Sequence, residues 1–225
     1  MTNLKQYFGV TITNAYDRIL EARLKTLPKN AIARIVIDKV DSYSDYIPVF
    51  ELVSDYAQIM LQVSDSFNDK QLSDKEYDER EAFFLRHLAR FSPFVEISNE
   101  IGPSSDWLSG RELQRARNSA KRWIGHERIV TYFWNYEPKE MKEYIKDNPI
   151  PCEHKMISFY PRNPKDFKDL EKFLLEEPNS GLSEFGFQQW ESGKVGYATK
   201  KRLIKRAYEI GSPVFLWDWQ ETTKV

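Results

Sequence analysis

Cysteine and histidine are scarce in this 225-residue chain, with one Cys and three His. The lone thiol, Cys152, has no second cysteine to pair with, which excludes an internal disulfide and a thiolate metal cluster. The histidines, His87, His126 and His154, fall in predicted helices or ahead of predicted strands. Asp38, Asp65 and Asp218 at strand ends offer oxygen ligands only, so no metal and no other cofactor is expected. No uninterrupted run approaches the roughly 18 apolar residues of a membrane span. Met1 to Gln6 lacks the apolar stretch of a secretory signal, so the chain as given reads as cytoplasmic. Neither sign of charge is in excess: 33 Lys and Arg against 34 Asp and Glu leave a formal charge of −1. No overall field therefore draws it to nucleic acid or to an anionic membrane, and a neutral or weakly charged substrate fits better. Glycine is sparse too. No Gly-x-Gly-x-x-Gly or Gly-Lys-Ser loop follows the first predicted strand, where nucleotide-binding sheets carry one, and no Gly-rich phosphate loops follow strands seven and eight.

What the sequence has is alternation. Short β-branched or aromatic runs give way eight times to longer amphipathic segments, the pattern of βα units. The predicted strands are Tyr7–Thr13, Ala31–Asp38, Gln58–Ser64, Phe94–Glu100, Arg128–Asn135, Lys155–Tyr160, Gly181–Phe187 and Val214–Trp219. Helices are predicted from Asn14, read as an N-cap, to about Leu27, then over Tyr46–Tyr56, from Ser73, over Gly110–Trp123, from Pro138, over Asp166–Leu175 and over Tyr197–Ile210. Ser73-Asp74-Lys75-Glu76 has the form of a capping box, and Phe83, Phe84, Leu88 and Phe91 follow on one face. Parallel strands joined by right-handed helical crossovers at a spacing of roughly 28 residues close into a barrel. The expected fold is α/β, a compact single-domain (β/α)8 barrel over residues 1–225 with short loops. An open doubly wound sheet is the rival.

In such barrels the chemistry sits where strands end, on the C-terminal rim. Two strands end in glutamate: Asn99-Glu100 closes strand four, and Glu184 lies in Ser183-Glu184-Phe185-Gly186 on strand seven. Carboxylates on opposite sides of a rim can flank one scissile glycosidic bond. Arg34 on strand two, Tyr160 on strand six, and Trp217 and Trp219 on strand eight complete the polar and aromatic strand ends. Trp134 and Trp107 add flat apolar faces suited to sugar rings. Each has a plainer reading: Arg34 as the partner of a carboxylate in the barrel floor, Tyr160 as a strand-end core residue, one of Trp217 and Trp219 as barrel filling. The basic run Arg111, Arg115, Arg117, Lys121 and Arg122 reads as a solvated outer helix face rather than a phosphate site.

Phe94-Val95-Glu96-Ile97-Ser98-Asn99-Glu100 resembles the fourth strand of the clan of retaining (β/α)8 glycoside hydrolases that includes cellulases, mannanases, β-galactosidases and xylosidases. Leu182-Ser183-Glu184-Phe185-Gly186 resembles that clan's strand seven. The resemblance implies Glu100 as general acid/base and Glu184 as nucleophile. It further implies Arg34 and Tyr160 as supports of the nucleophile, Asn99 as a partner of the sugar 2-hydroxyl, and Trp217 or Trp219 as the aromatic platform. These motifs occur in the clan's strand order. Two positions depart: Ser158 stands where many members carry His before the strand-six Tyr, and Asp65 where a His often ends strand three. The implied activity is cleavage of a β-glycosidic bond with retention in an oligo- or polysaccharide. The alternative is a (β/α)8 barrel that binds carbohydrate, or is structural, without turnover.

Overall fold

The computed structural model describes residues 3–37, 43–63, 72–102, 110–133, 138–159, 166–177, 179–185, 197–211, 213–216 and 219–222. Its strands are β1 (Phe8–Ile12), β2 (Ala31–Ile35), β3 (Gln58–Gln62), β4 (Phe94–Ile101), β5 (Glu127–Phe133), β6 (His154–Phe159), β7 (Ser180–Phe185) and β8 (Val214–Leu216). They pair in parallel in sequence order, and β1 pairs with β8, closing the barrel. The helices are α1 (Leu20–Leu24), α2 (Ile47–Ser54), α3 (Asp74–His87), α4 (Gly110–Arg122), α5 (Pro138–Asp147), α6 (Asp166–Glu176), α7 (Tyr197–Glu209) and α8 (Trp219–Thr222). The expected (β/α)8 barrel is therefore the observed fold.

Alternation along each strand sorts the side chains into two populations. One set, among them Val10, Ile35, Leu61, Val95, Val130 and Ile157, joins the large apolar layer between sheet and helices. The other faces the barrel interior. Its lower part is an apolar plug of Ile32, Met60, Phe94, Ile129, Met156 and Phe215, with Leu4 from the 3-10 turn Leu4–Gln6 packed against it. Two positions further along the strands the interior turns polar: Thr11, Arg34, Gln62, Glu96, Thr131 and Ser158 are all buried. Close packing fixes glycine at two inner positions. A Cβ on Gly9 would lie 2.7 Å from Phe215 Cγ, and one on Gly181 would lie 2.3 Å from Pro213 Cγ.

Local sequence explains most of the helical shell. Ser73 and Glu76 form the expected capping box, with the Ser73 Oγ accepting from the Glu76 N–H and the Glu76 carboxylate accepting from the Ser73 N–H. Phe84 and Leu88 are fully buried. The basic α4 is an interlock with α3 rather than a free cationic face. Arg111 and Arg115 both donate to Asp74, Arg122 pairs with Asp78 and Glu81, and the Trp123 Nε1–H donates to Glu81 at 2.9 Å.

Two expected boundaries are corrected. The first helix does not start at Asn14; it is a five-residue segment from Leu20. Asn14 and Asp17 instead accept from the N–H groups of Tyr16 and Ile19 two residues on, which turns the chain. Gln220 fixes this turn from the far end of the sequence, its Oε1 accepting from Thr13 N–H and Asn14 N–H at 2.8 Å each. The last strand does not reach Trp219. It ends at Leu216, and Trp219 opens α8, where its ring is buried in the outer apolar layer.

Candidate active site

Glu100 lies next to the last residue of β4, and Glu184 next to the last residue of β7. Both segments depart from regular pairing. The β4–β5 register slips between Glu96 and Ser98 and again between Ser98 and Ile101. The β6–β7 register slips after Ile157, so that Ser158 pairs with Glu184 rather than Ser183. Such bulges re-aim strand ends and are common at the rims of barrels next to active sites. For Glu100 and Glu184 the description extends to the backbone. Tyr160, Trp134, Trp107 and Trp217 lie outside the described residues, as do Asp38, Asp65 and Asp218.

Arg34 is fully buried inside the barrel. Its Nε–H donates to Glu96 Oε2 at 2.8 Å, an ion pair in which neither side chain is exposed. The Thr131 hydroxyl donates to the other carboxylate oxygen of Glu96. At the upper side, Arg34 Nη2–H donates to Asn99 Oδ1 at 3.3 Å, and Asn99 is only half-buried. The structure thus links Arg34 with Asn99, two of the sequence-predicted residues, through side chains from β2 and β4.

Glu96 is the residue that sequence reasoning passed over. A partial signal was present: Glu96 alternates with Phe94 and Ser98 along β4, which puts a carboxylate on the same face as an apolar and a small residue. A buried charge requires a partner, and Arg34 on the neighbouring face of β2 is the matching cation. Arg34 does pair with a carboxylate, but in the polar layer above the apolar plug rather than in the barrel floor where the plainer reading put it. Thr11 Oγ1, Gln62 Oε1 and Ser183 Oγ are buried with no hydrogen-bond partner among the described residues.

The other titratable candidates are elsewhere. His154 begins β6 and is buried at the N-terminal end of the barrel, its Nε2 2.7 Å from Glu127 Oε2; burial lowers its pKa despite that carboxylate. His87 stacks near Phe83 at the end of α3, and His126 packs on Trp123 before β5. Burial pushes the Cys152 thiol up to about 11, so it stays protonated and unreactive near neutral pH. Among the described residues no group of three or more His, Cys, Asp or Glu could hold a metal ion.

No family model matches the chain, and no curated protein matches it in sequence. Solved structures do match in fold. The catalytic domain of an Ignisphaera aggregans enzyme of glycoside hydrolase family 53 is 15% identical, with a TM-score of 0.58 over 96% of this chain and 86% of that one. Fungal β-1,4-galactanases are 15% identical, with a TM-score of 0.57 over 95% and 89%. A xylanase and α-amylase inhibitor protein, solved in complex with trehalose, is 11% identical, with a TM-score of 0.57 over 95% and 94%. The chain shares the barrel fold of glycoside hydrolases, and at these identities the likeness is one of fold.

Proposed function

We propose that the protein is a retaining glycoside hydrolase acting on a β-glycosidic bond of an oligo- or polysaccharide. The observation that carries this reading is the position of Asn99-Glu100 and Glu184 at the bulged C-terminal ends of β4 and β7, in a barrel whose fold is that of glycoside hydrolases. In the proposed reaction Glu184 attacks the anomeric carbon while Glu100 gives its proton to the leaving oxygen. Water then releases the sugar from Glu184, with Glu100 taking the proton back. Asn99 contacts the 2-hydroxyl, a contact that in such enzymes supplies part of several kcal/mol of transition-state stabilisation. Tyr160, Trp217 and Trp134 are proposed as further sugar contacts. Trp219, packed in the outer layer, is proposed to support the seam between β8 and β1.

Hydrolysis of a panel of aryl β-glycosides, with the anomer of the first product read by proton NMR, tests this. A β product, with loss of turnover in Glu184→Gln and Glu100→Gln, is expected. An α product would refute retention. A folded wild-type protein that turns over no member, yet binds oligosaccharide, would support the second reading, a carbohydrate-binding barrel. That reading draws on the inhibitor protein complexed with trehalose, whose length this barrel nearly matches.

A further inference from the structure

We propose that Glu96 is a positioning residue for the rim, acting through Arg34 to set the direction in which the Asn99 amide donates. This rests on the reading of Asn99 as a sugar contact. The Arg34 guanidinium is planar, so anchoring its Nε–H on Glu96 Oε2 fixes where Nη2 points. Glu96 is itself held, because the Thr131 hydroxyl of β5 occupies its second oxygen. Three strands thus determine one guanidinium orientation.

Asn99 needs such a device. It sits within the slip between Ser98 and Ile101, where the β4–β5 ladder is interrupted and cannot fix its orientation. Guanidinium N–H groups only donate. The atom of Asn99 that meets Arg34 is therefore its carbonyl oxygen, which leaves the NH2 group facing away as a pair of donors. A ligand engaging Asn99 must present a lone pair, as the oxygen of a sugar 2-hydroxyl does. Without Glu96, the arginine loses the contact that fixes its Nε–H, its hold on the Asn99 oxygen loosens, and an acceptor competes with the donor at the same place.

The test compares aryl glycosides that carry or lack the 2-hydroxyl on wild type, Glu96→Leu, Asn99→Ala and the double variant. Leucine has no acceptor for Arg34 Nε–H, so Glu96→Leu is expected to lower kcat on the 2-hydroxy substrate by up to about 10²-fold with KM little changed, the scale of a misplaced group. It should leave the 2-deoxy substrate nearly unaffected and add nothing in the Asn99→Ala background. Equal losses on both substrates, or losses that multiply with Asn99→Ala, would overturn the proposal. Thr131→Val, a gentler change, should show the same pattern at smaller size if Glu96→Leu folds poorly. Should the wild type turn over neither substrate, the glycosidase reading fails, and the positioning claim is read instead in the side-chain NMR signals. Glu96→Leu, or Thr131→Val in its place, must then move the Asn99 NH2 pair along with Arg34 Nε–H; movement of the arginine signal alone would overturn it.

Discussion

Glu96→Ala is expected to be among the most damaging single substitutions in the barrel. Arg34 and Glu96 have no exposed side-chain surface, so removing the carboxylate leaves a buried cation, at a cost of about 3–5 kcal/mol. For a chain of this size that corresponds to a fall in Tm of roughly 6–20 °C. Glu96→Gln should be milder. Its oxygen can still accept from Arg34 Nε–H, and its NH2 can donate to the Thr131 hydroxyl. Both bonds persist while the charge is lost, so the cost falls to about 2 kcal/mol. Replacing the pair together, as Arg34→Met with Glu96→Leu and Thr131→Val, removes charge and orphaned hydroxyl at once and should lie closer to wild type than Glu96→Ala. Urea denaturation with a common m-value measures all three. If Glu96→Ala lies within about 0.5 kcal/mol of wild type, or the triple variant is the worst of the set, the argument from a dry, mutually dependent pair is wrong.

Other consequences follow from the described contacts. Ser73→Ala removes the N-cap acceptor of α3 and should cost about 1 kcal/mol in chemical denaturation. Gly181→Ala forces a methyl group against Pro213 and should cost about 1–3 kcal/mol by the same measurement. Glu153 is held below its ordinary carboxylate value by hydrogen bonds from Arg128, so its contribution is full above about pH 4.5 and is lost as pH falls towards the folded-state value; Glu153→Gln should flatten the stability profile in that window. His154 is depressed by burial, so the unfolded chain binds its proton first, and stability should decline as pH drops below about 6.5. NMR titration of the ring checks this, and a pKa above 6.5 would contradict it.

The strands were legible because each is a short apolar or β-branched run bounded by turn residues, and Ser73 to Glu76 announced α3 through purely local chemistry. What was not legible depended on contacts distant in sequence. Asn14 looked like a helix cap, yet Gln220, over 200 residues away, holds it in a turn. Trp219 fits an alternating strand by composition, but among the described residues β8 is Val214–Leu216 and Trp219 opens α8. At the site, Arg34 and Asn99 stood out as strand-end residues. Glu96 did not, because alternation marks a carboxylate in the middle of a strand without saying which face turns inward or that Arg34 lies across the barrel from it.

The central claim is tested most directly by trapping the covalent intermediate. Incubation with 2-deoxy-2-fluoro β-glycosides bearing good leaving groups, across glucosyl, galactosyl, mannosyl and xylosyl forms, slows the second displacement and accumulates any glycosyl-enzyme. Intact mass spectrometry should show one fluorosugar per chain, with peptide mapping placing it on Glu184. A label on any other residue, or none from the whole panel in a preparation that hydrolyses the parent glycosides, would contradict the double-displacement account.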